Sequence, residues 1–358
     1  MITRLSGIVP ERAHHVSKEF HGRNVGPATG KVSIVETLRG IASLSVLFAH
    51  WCTTEAPGWI GSPLLATVFK KLQVGVYVFF AISGFIMPYA LNRGGYSVRN
   101  FGKFWLKRVV RLDPPYLLSI AFCVLIGYAA SLHPLSKVLF HLDWQNLALH
   151  LLYLCPFFGQ GWVTGGGGVF WTLGIECQYY LVLALFFPLL CHAKGWVRWL
   201  TLGLFASSSI WADALRGRFL PPYTPFFAMG ITTFWFYKGQ IGRWAYLASL
   251  CLLTCLAAWW FELYQVEGAL GTALLLGFYR RPASPLQFFG KISYSLYLFH
   301  AAVALRVVNY CNRFAWGRSW NWLIILGGAT GCVLLATGVY YLIERPCRDY
   351  SQGIRYRR

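Results

Sequence analysis

Long apolar runs, each closed by a short turn rich in Gly, Pro, Lys or Arg, recur along this chain from residue 32 to residue 342. That alternation restricts the fold more than any other feature. A helix of about 20 apolar residues crosses the hydrocarbon core of a bilayer, and in lipid every backbone N–H and C=O must find its partner internally. Composition points the same way: 56% of residues are hydrophobic and 12% are charged, about half the charge of an ordinary soluble domain. A soluble fold would leave too much apolar surface uncovered. The expected fold is all-α, a polytopic integral membrane bundle.

Spans are expected at roughly 32–52, 74–91, 114–131, 170–191, 197–212, 222–237, 244–261, 268–279, 292–309 and 321–342. With the N-terminus on the cytoplasmic side, 23 of the 32 Lys and Arg fall in cytoplasmic segments and 7 in outer ones, while Arg39 and Arg306 lie within spans. Basic residues collect on the cytoplasmic side of membrane proteins. Both termini are therefore expected in the cytoplasm, with the chain a multi-pass membrane protein. The same bias explains the net charge of +20 without nucleic acid, because the cations alternate with the spans and form no continuous patch.

Residues 144–158 are apolar enough to be helical, but a crossing there would invert every later loop. They are expected to be re-entrant or to lie at the outer surface. Gly159–Gly168 reads as a flexible outer loop whose glycines let the backbone approach a ligand, or as a plain connector. Residues 1–31 lack an apolar core, so they read as a disordered cytoplasmic extension and not a signal peptide. Residues 32–343 then form the membrane domain and 344–358 a basic cytoplasmic tail. The ten cysteines show no CxxC or Cys/His spacing, so no metal site is expected.

Within the first span, Glu36-Thr-Leu-Arg39 is followed by His50. Eleven helical steps return to within ~20° of the starting face and rise ~16 Å. Arg39 and His50 thus share one stripe, three turns apart. Ionisable groups at membrane depth are costly, and they mark pathways or reaction sites.

Six stretches carry a family resemblance. They are Glu36-Thr-Leu-Arg39…His50, Gly75-Val-Tyr-Val-Phe-Phe-Ala-Ile-Ser83-Gly-Phe85, and the Arg108-x-x-Arg111 pair before Pro114-Pro115-Tyr116. The others are Phe170-Trp-Thr-Leu-Gly-Ile-Glu176-Cys-Gln-Tyr-Tyr180, Gly290-Lys-Ile-Ser-Tyr-Ser-Leu-Tyr-Leu-Phe-His300, and Glu344-Arg-Pro346. In this order they resemble the membrane-bound acyltransferase-3 family, which O-acylates bacterial polysaccharides, lipopolysaccharide and Nod factors. Thr172 and Gly174 stand where serines are common, and Cys177 follows the Glu. The chain is similar to the stand-alone form, without a hydrolase-like domain after residue 358.

The resemblance implies acyl transfer from cytoplasmic acyl-CoA, acetyl-CoA in the first instance, to a hydroxyl of an exopolysaccharide, cell-surface glycan or lipid-linked oligosaccharide. Acyl-CoA is a co-substrate and no bound cofactor is implied. His50 would be the general base or an acylated nucleophile, against the alternative of an interfacial histidine with a satisfied hydrogen bond. Glu176 is expected at the same depth as His50, to orient it and stabilise its imidazolium; otherwise it pairs structurally with Arg306. Arg108 and Arg111 would hold donor phosphates, or merely anchor to lipid head groups. Arg39 would contact the donor or pair with Glu36, or snorkel to the interface. Glu36, Ser83, Tyr180 and His300 complete the expected donor-binding set, although His300 equally suits a bond to Tyr297 or a carbonyl. Expected partners are the bilayer, acyl-CoA and the glycan acceptor, with a second copy or polysaccharide-assembly proteins as further candidates. Two other functions fit the same intramembrane charges: a proton-coupled transporter, and an inactive structural subunit of a polysaccharide export complex.

Overall fold

A helix stands on each expected span, and no strand occurs among the described residues, which in this computed structural model are 33–132, 140–158, 169–214, 219–279, 286–314 and 320–356. The expected N-terminal extension and the glycine-rich stretch 159–168 lie outside them. In chain order the helices are α1 (Ser33–Ala49), α2 (Pro63–Lys71), α3 (Gly75–Gly94), α4 (Phe101–Ser131), α5 (Trp144–Leu151), α6 (Cys155–Phe158) and α7 (Trp171–Leu190). They continue with α8 (Gly195–Ser207), α9 (Thr224–Tyr237), α10 (Arg243–Ala258), α11 (Leu263–Phe278), α12 (Gln287–Cys311), α13 (Trp320–Val339) and α14 (Arg345–Gly353). Five helical segments among the described residues are long and apolar enough to cross a membrane: Pro63–Gly94, Val98–Ser131, Trp171–Leu190, Gln287–Cys311 and Trp320–Gly353.

Local chemistry sets several boundaries. Ser62 caps α2 by accepting from the Leu65 N–H at 3.4 Å, with Pro63 at the first helical position, where its missing N–H costs nothing. Gly95 closes α3 in the left-handed conformation, φ 64°, which a glycine adopts freely. Glu262 and Gln265 form a reciprocal capping box on α11, which starts that helix earlier than the expected span at 268.

Three helical segments were not among the expected spans. Residues 101–111 were expected as part of a cytoplasmic loop because of their cations, yet they are the first turns of α4. The reason is periodicity: Phe104, Arg108, Arg111, Pro115 and Ser119 recur every three or four residues on one stripe, and all but Arg111 are buried. Residues 63–71, between two expected spans, form the separate helix α2. The tail after Glu344, for which the sequence suggested only a basic character, folds as α14, which packs on α4.

The 144–158 segment consists of two short helices, eight and four residues long. At 1.5 Å per residue neither reaches across a bilayer. The segment is tied to the middle of α4: the Tyr153 hydroxyl donates to Asp113 at 2.9 Å, and the Tyr116 hydroxyl donates to the His150 carbonyl at 2.9 Å. Tyr153 itself takes φ 59°, a conformation costly for an aromatic residue.

Helix packing in lipid rests on close fit, since lipid tails are as apolar as the side chains. Small residues supply that fit at two crossings. A methyl group on Gly290 would overlap the Glu36 carbonyl oxygen, and one on Gly40 would overlap the Leu286 carbonyl oxygen. Backbones of α1 and α12 therefore touch directly. Gly84 and Gly230 bring α3 and α9 together in the same way. Beyond the first crossing, Leu47, Trp51, Leu296, Ala304 and Cys332 join α1, α12 and α13 in one buried apolar cluster.

Candidate active site

The α1–α12 contact fixes which polar residues can meet. Glycines 40 and 290 hold the helices in register, and one turn beyond them the Arg39 Nε donates to Ser293 Oγ at 3.0 Å. Further along the same pair, the His50 and His300 rings meet edge-on with centroids 4.8 Å apart. On α12, Gly290, Ser293, Tyr297 and His300 are spaced by three, four and three residues, so they form one polar stripe facing α1.

Arg39 opens into an interior cavity of about 130 Å³. Its walls come from α1, α3, α4, α7 and α12, together with Glu344. Three arginines, Arg39, Arg108 and Arg111, and two carboxylates, Glu176 and Glu344, line it. Glu176 accepts from Ser83 and from Tyr180. Glu344 Oε2 accepts from the Ser295 hydroxyl at 2.6 Å and from its backbone N–H at 3.2 Å. With both carboxylates ionised the cluster carries one excess positive charge in a low-dielectric site, which favours an anion. The Arg108 Nε is buried without a hydrogen-bond partner, so one donor remains for a ligand to satisfy. A second cavity, lined by Trp105, Asp113 and Tyr153 among others, adjoins the first through Arg108, Glu176 and Tyr180.

His50 lies beyond this cavity. Thr172 and Tyr297 line its wall and their hydroxyls meet at 2.8 Å. Behind Tyr297, at a ring separation of 5.5 Å, stands His300, and behind His300 stands His50. His300 Nδ1 faces the Tyr297 carbonyl at 2.8 Å and the Leu296 carbonyl at 3.2 Å. A carbonyl only accepts, so Nδ1 carries the proton and Nε2 a lone pair, and that buried Nε2 has no partner.

One expectation is corrected here. Glu176 was expected beside His50, but its carboxylate belongs to the arginine cavity. The carboxylate beside His50 is Glu55, whose Oε1 lies 3.4 Å from Nδ1. Glu176 is held by Ser83 of α3 and by Tyr180 of its own helix, in the cavity of Arg39, which stands three turns along α1 from His50. Glu55 escaped the sequence because residue 55 lies about 140° around an α-helix from residue 50. The chain is not α-helical there. His50–Thr54 is a π-turn, and the Glu55 N–H donates to the His50 carbonyl at 3.0 Å, which places residue i+5 above residue i. The one available signal was that Glu55 is the acidic residue nearest His50 in the chain.

Among the other expected residues, Arg39, Ser83, Arg108, Arg111, Glu176 and Tyr180 line one cavity, and His300 touches His50. Glu36 is not in the cavity wall; its backbone forms the contact with Gly290. Arg108 and Arg111 point inward to the cavity and not only to a surface. Ser293, Tyr294 and Glu344 line the cavity as well; the helical stripe through Gly290 and His300 contained the signal for Ser293.

Residues 32–341 match the family model described as an acyltransferase domain. Nodulation protein 10 of Rhizobium leguminosarum bv. viciae is 25% identical over 379 aligned positions, covering 92% of this chain and 97% of that protein. A protein named acetyltransferase ORF330, of Acidianus two-tailed virus, is 27% identical over 237 positions, covering 61% of this chain and 62% of that protein. No solved structure matches.

Proposed function

The chain belongs to the membrane acyltransferase-3 family, and from that premise we propose that it transfers an acyl group, in the first instance acetyl, from acyl-CoA to a sugar hydroxyl of a surface glycan, exopolysaccharide or lipid-linked precursor. The observation that supports this most is the convergence of Arg39, Arg108 and Arg111 on one interior cavity, with Tyr297 and His300 leading from its wall to His50.

In this reading the donor enters from the cytoplasm at the arginine end. Guanidinium forks match phosphate oxygens in geometry and charge, and the excess positive charge of the cluster favours the anionic part of the donor. The acyl carbon meets the acceptor at His50.

The reaction balances without a metal or redox partner. The acceptor oxygen attacks the thioester carbon while His50 Nε2 takes the hydroxyl proton. The C–S bond breaks, and the proton passes from His50 to the thiolate, which leaves as CoA–SH. Transfer through an acyl-histidine is the two-step variant of the same chemistry.

Purified protein with labelled acetyl-CoA and a purified exopolysaccharide tests the reading. Wild type should release CoA and label the glycan, and His50→Ala should lose both by on the order of 10²-fold or more. Equal CoA release by wild type and His50→Ala would refute the catalytic role of His50.

A further inference from the structure

We propose that Glu55 is the positioning residue of the site: it fixes the tautomer of His50, leaving Nε2 free to take the acceptor proton. The inference rests on His50 being the base, as proposed above. It adds a residue that the six family-like stretches do not include.

The geometry carries it in three steps. First, the π-turn over His50–Thr54 turns a residue that an α-helix would point away into the neighbour of His50. A π-turn is a strained interruption of the α-helical ladder, and such turns gather at functional sites. Second, the Glu55 and His50 side chains are only 6% and 15% exposed, so water competes weakly for the carboxylate and the interaction keeps its strength. Third, an ionised carboxylate is only an acceptor, so Nδ1 facing it must be the donor. His50 then exposes a lone pair at Nε2.

The neighbouring imidazole cannot do this work. The His300 Nδ1–H is committed to the backbone carbonyls of Leu296 and Tyr297, and its Nε2 has no hydrogen-bond partner, so it accepts nothing from His50. Nor can Glu176, whose oxygens are held by Ser83 and Tyr180 in the cavity beyond. Holding the imidazole in one tautomer and stabilising the imidazolium that forms is what the acidic member of a catalytic triad does.

The test is made on the full chain in detergent with selectively ¹⁵N-labelled histidine, His50 being assigned by its loss in His50→Ala. In wild type the His50 spectrum should be that of the Nδ1–H tautomer. Glu55→Ala should move it toward the Nε2–H form that free imidazole side chains prefer. In the acetyl-CoA and exopolysaccharide assay, Glu55→Gln, which keeps size and removes charge, should lower kcat by on the order of 10²-fold or more while KM stays within twofold. Glu55→Asp, a carboxylate one methylene shorter, should recover part of the loss. A wild-type His50 already in the Nε2–H form, or a Glu55→Gln variant with kcat within threefold of wild type, would overturn the proposal. If His50→Ala is inactive in the same assay while Glu55→Gln is not, only the positioning role fails. If His50→Ala is active, the catalytic reading fails first.

Discussion

Replacing Gly290 by alanine tests how the α1–α12 contact governs the site. The added methyl would overlap the carbonyl oxygen of Glu36. Helix backbones do not compress, so the two helices must separate locally by roughly 1.5 Å to restore ordinary carbon–oxygen contact. Arg39 Nε lies 3.0 Å from Ser293 Oγ, one turn from that crossing, and such a separation carries the pair beyond hydrogen-bonding range. A hydrogen bond to a charged group contributes about 1.5–3 kcal/mol. Its loss should lower kcat/KM for acyl-CoA by roughly 10- to 100-fold, and overpacking should destabilise the protein by about 1–3 kcal/mol. Ser293→Ala removes the same bond without separating the helices, so it should give a loss of similar size with less destabilisation. Combined in one chain, the two substitutions should not multiply, because the bond can be lost only once. Gly271→Ala, at a position where a methyl meets nothing within 4 Å, should leave activity unchanged. Multiplicative losses, or a folded Gly290→Ala protein with wild-type kcat/KM, would refute the claim that the glycine contact holds Arg39 in place.

Two further outcomes follow from the cavity. Arg108→Ala and Arg111→Ala should each raise KM for acyl-CoA by about tenfold or more, the scale of one charge-assisted contact, with a smaller effect on kcat; an unchanged KM would leave lipid anchoring as their role. Ser295→Ala removes the 2.6 Å bond to Glu344 and leaves that carboxylate oxygen with the backbone N–H alone, which should cost about 1–3 kcal/mol and lower the unfolding temperature in detergent. An unchanged unfolding temperature would show that Glu344 finds another donor.

The positions of the helices were legible because lipid leaves no alternative: an apolar run with no external hydrogen-bond partners must close its own ladder. The first turns of α4 were not legible, since their four cations resemble a loop until Phe104, Arg108 and Arg111 are placed on a helical stripe. Sequence spacing predicted the common face of Arg39 and His50, and it also offered Tyr297 and His300 as a pair. It could not say which carboxylate faces His50. Counting residues along one helix fixes neither its level nor its azimuth relative to other helices, which depend on packing. Glu176 shares a cavity with Arg39, three turns along α1 from His50. Glu55 was hidden for another reason, because the periodicity used to find neighbours fails wherever the chain leaves α-geometry.

A second such departure, the π-turn at Tyr340–Glu344, ends on the carboxylate of Glu344, as the first is followed by that of Glu55. Each turn accommodates one more residue than the α-helical rise would hold. The two segments therefore act as phase shifters, resetting the angular count of the chain just before an acidic group. A consequence concerns geometry and not composition. Forcing α-helical geometry on 50–55 at unchanged length would swing Glu55 about 140° away from His50, although every side chain of the site would still be encoded. Deleting one residue from 51–54 would instead let the turn relax to α-helix with Glu55 four places after His50 and still on its face. In this fold the helical pitch between His50 and Glu55 is as much a part of the site as their identity.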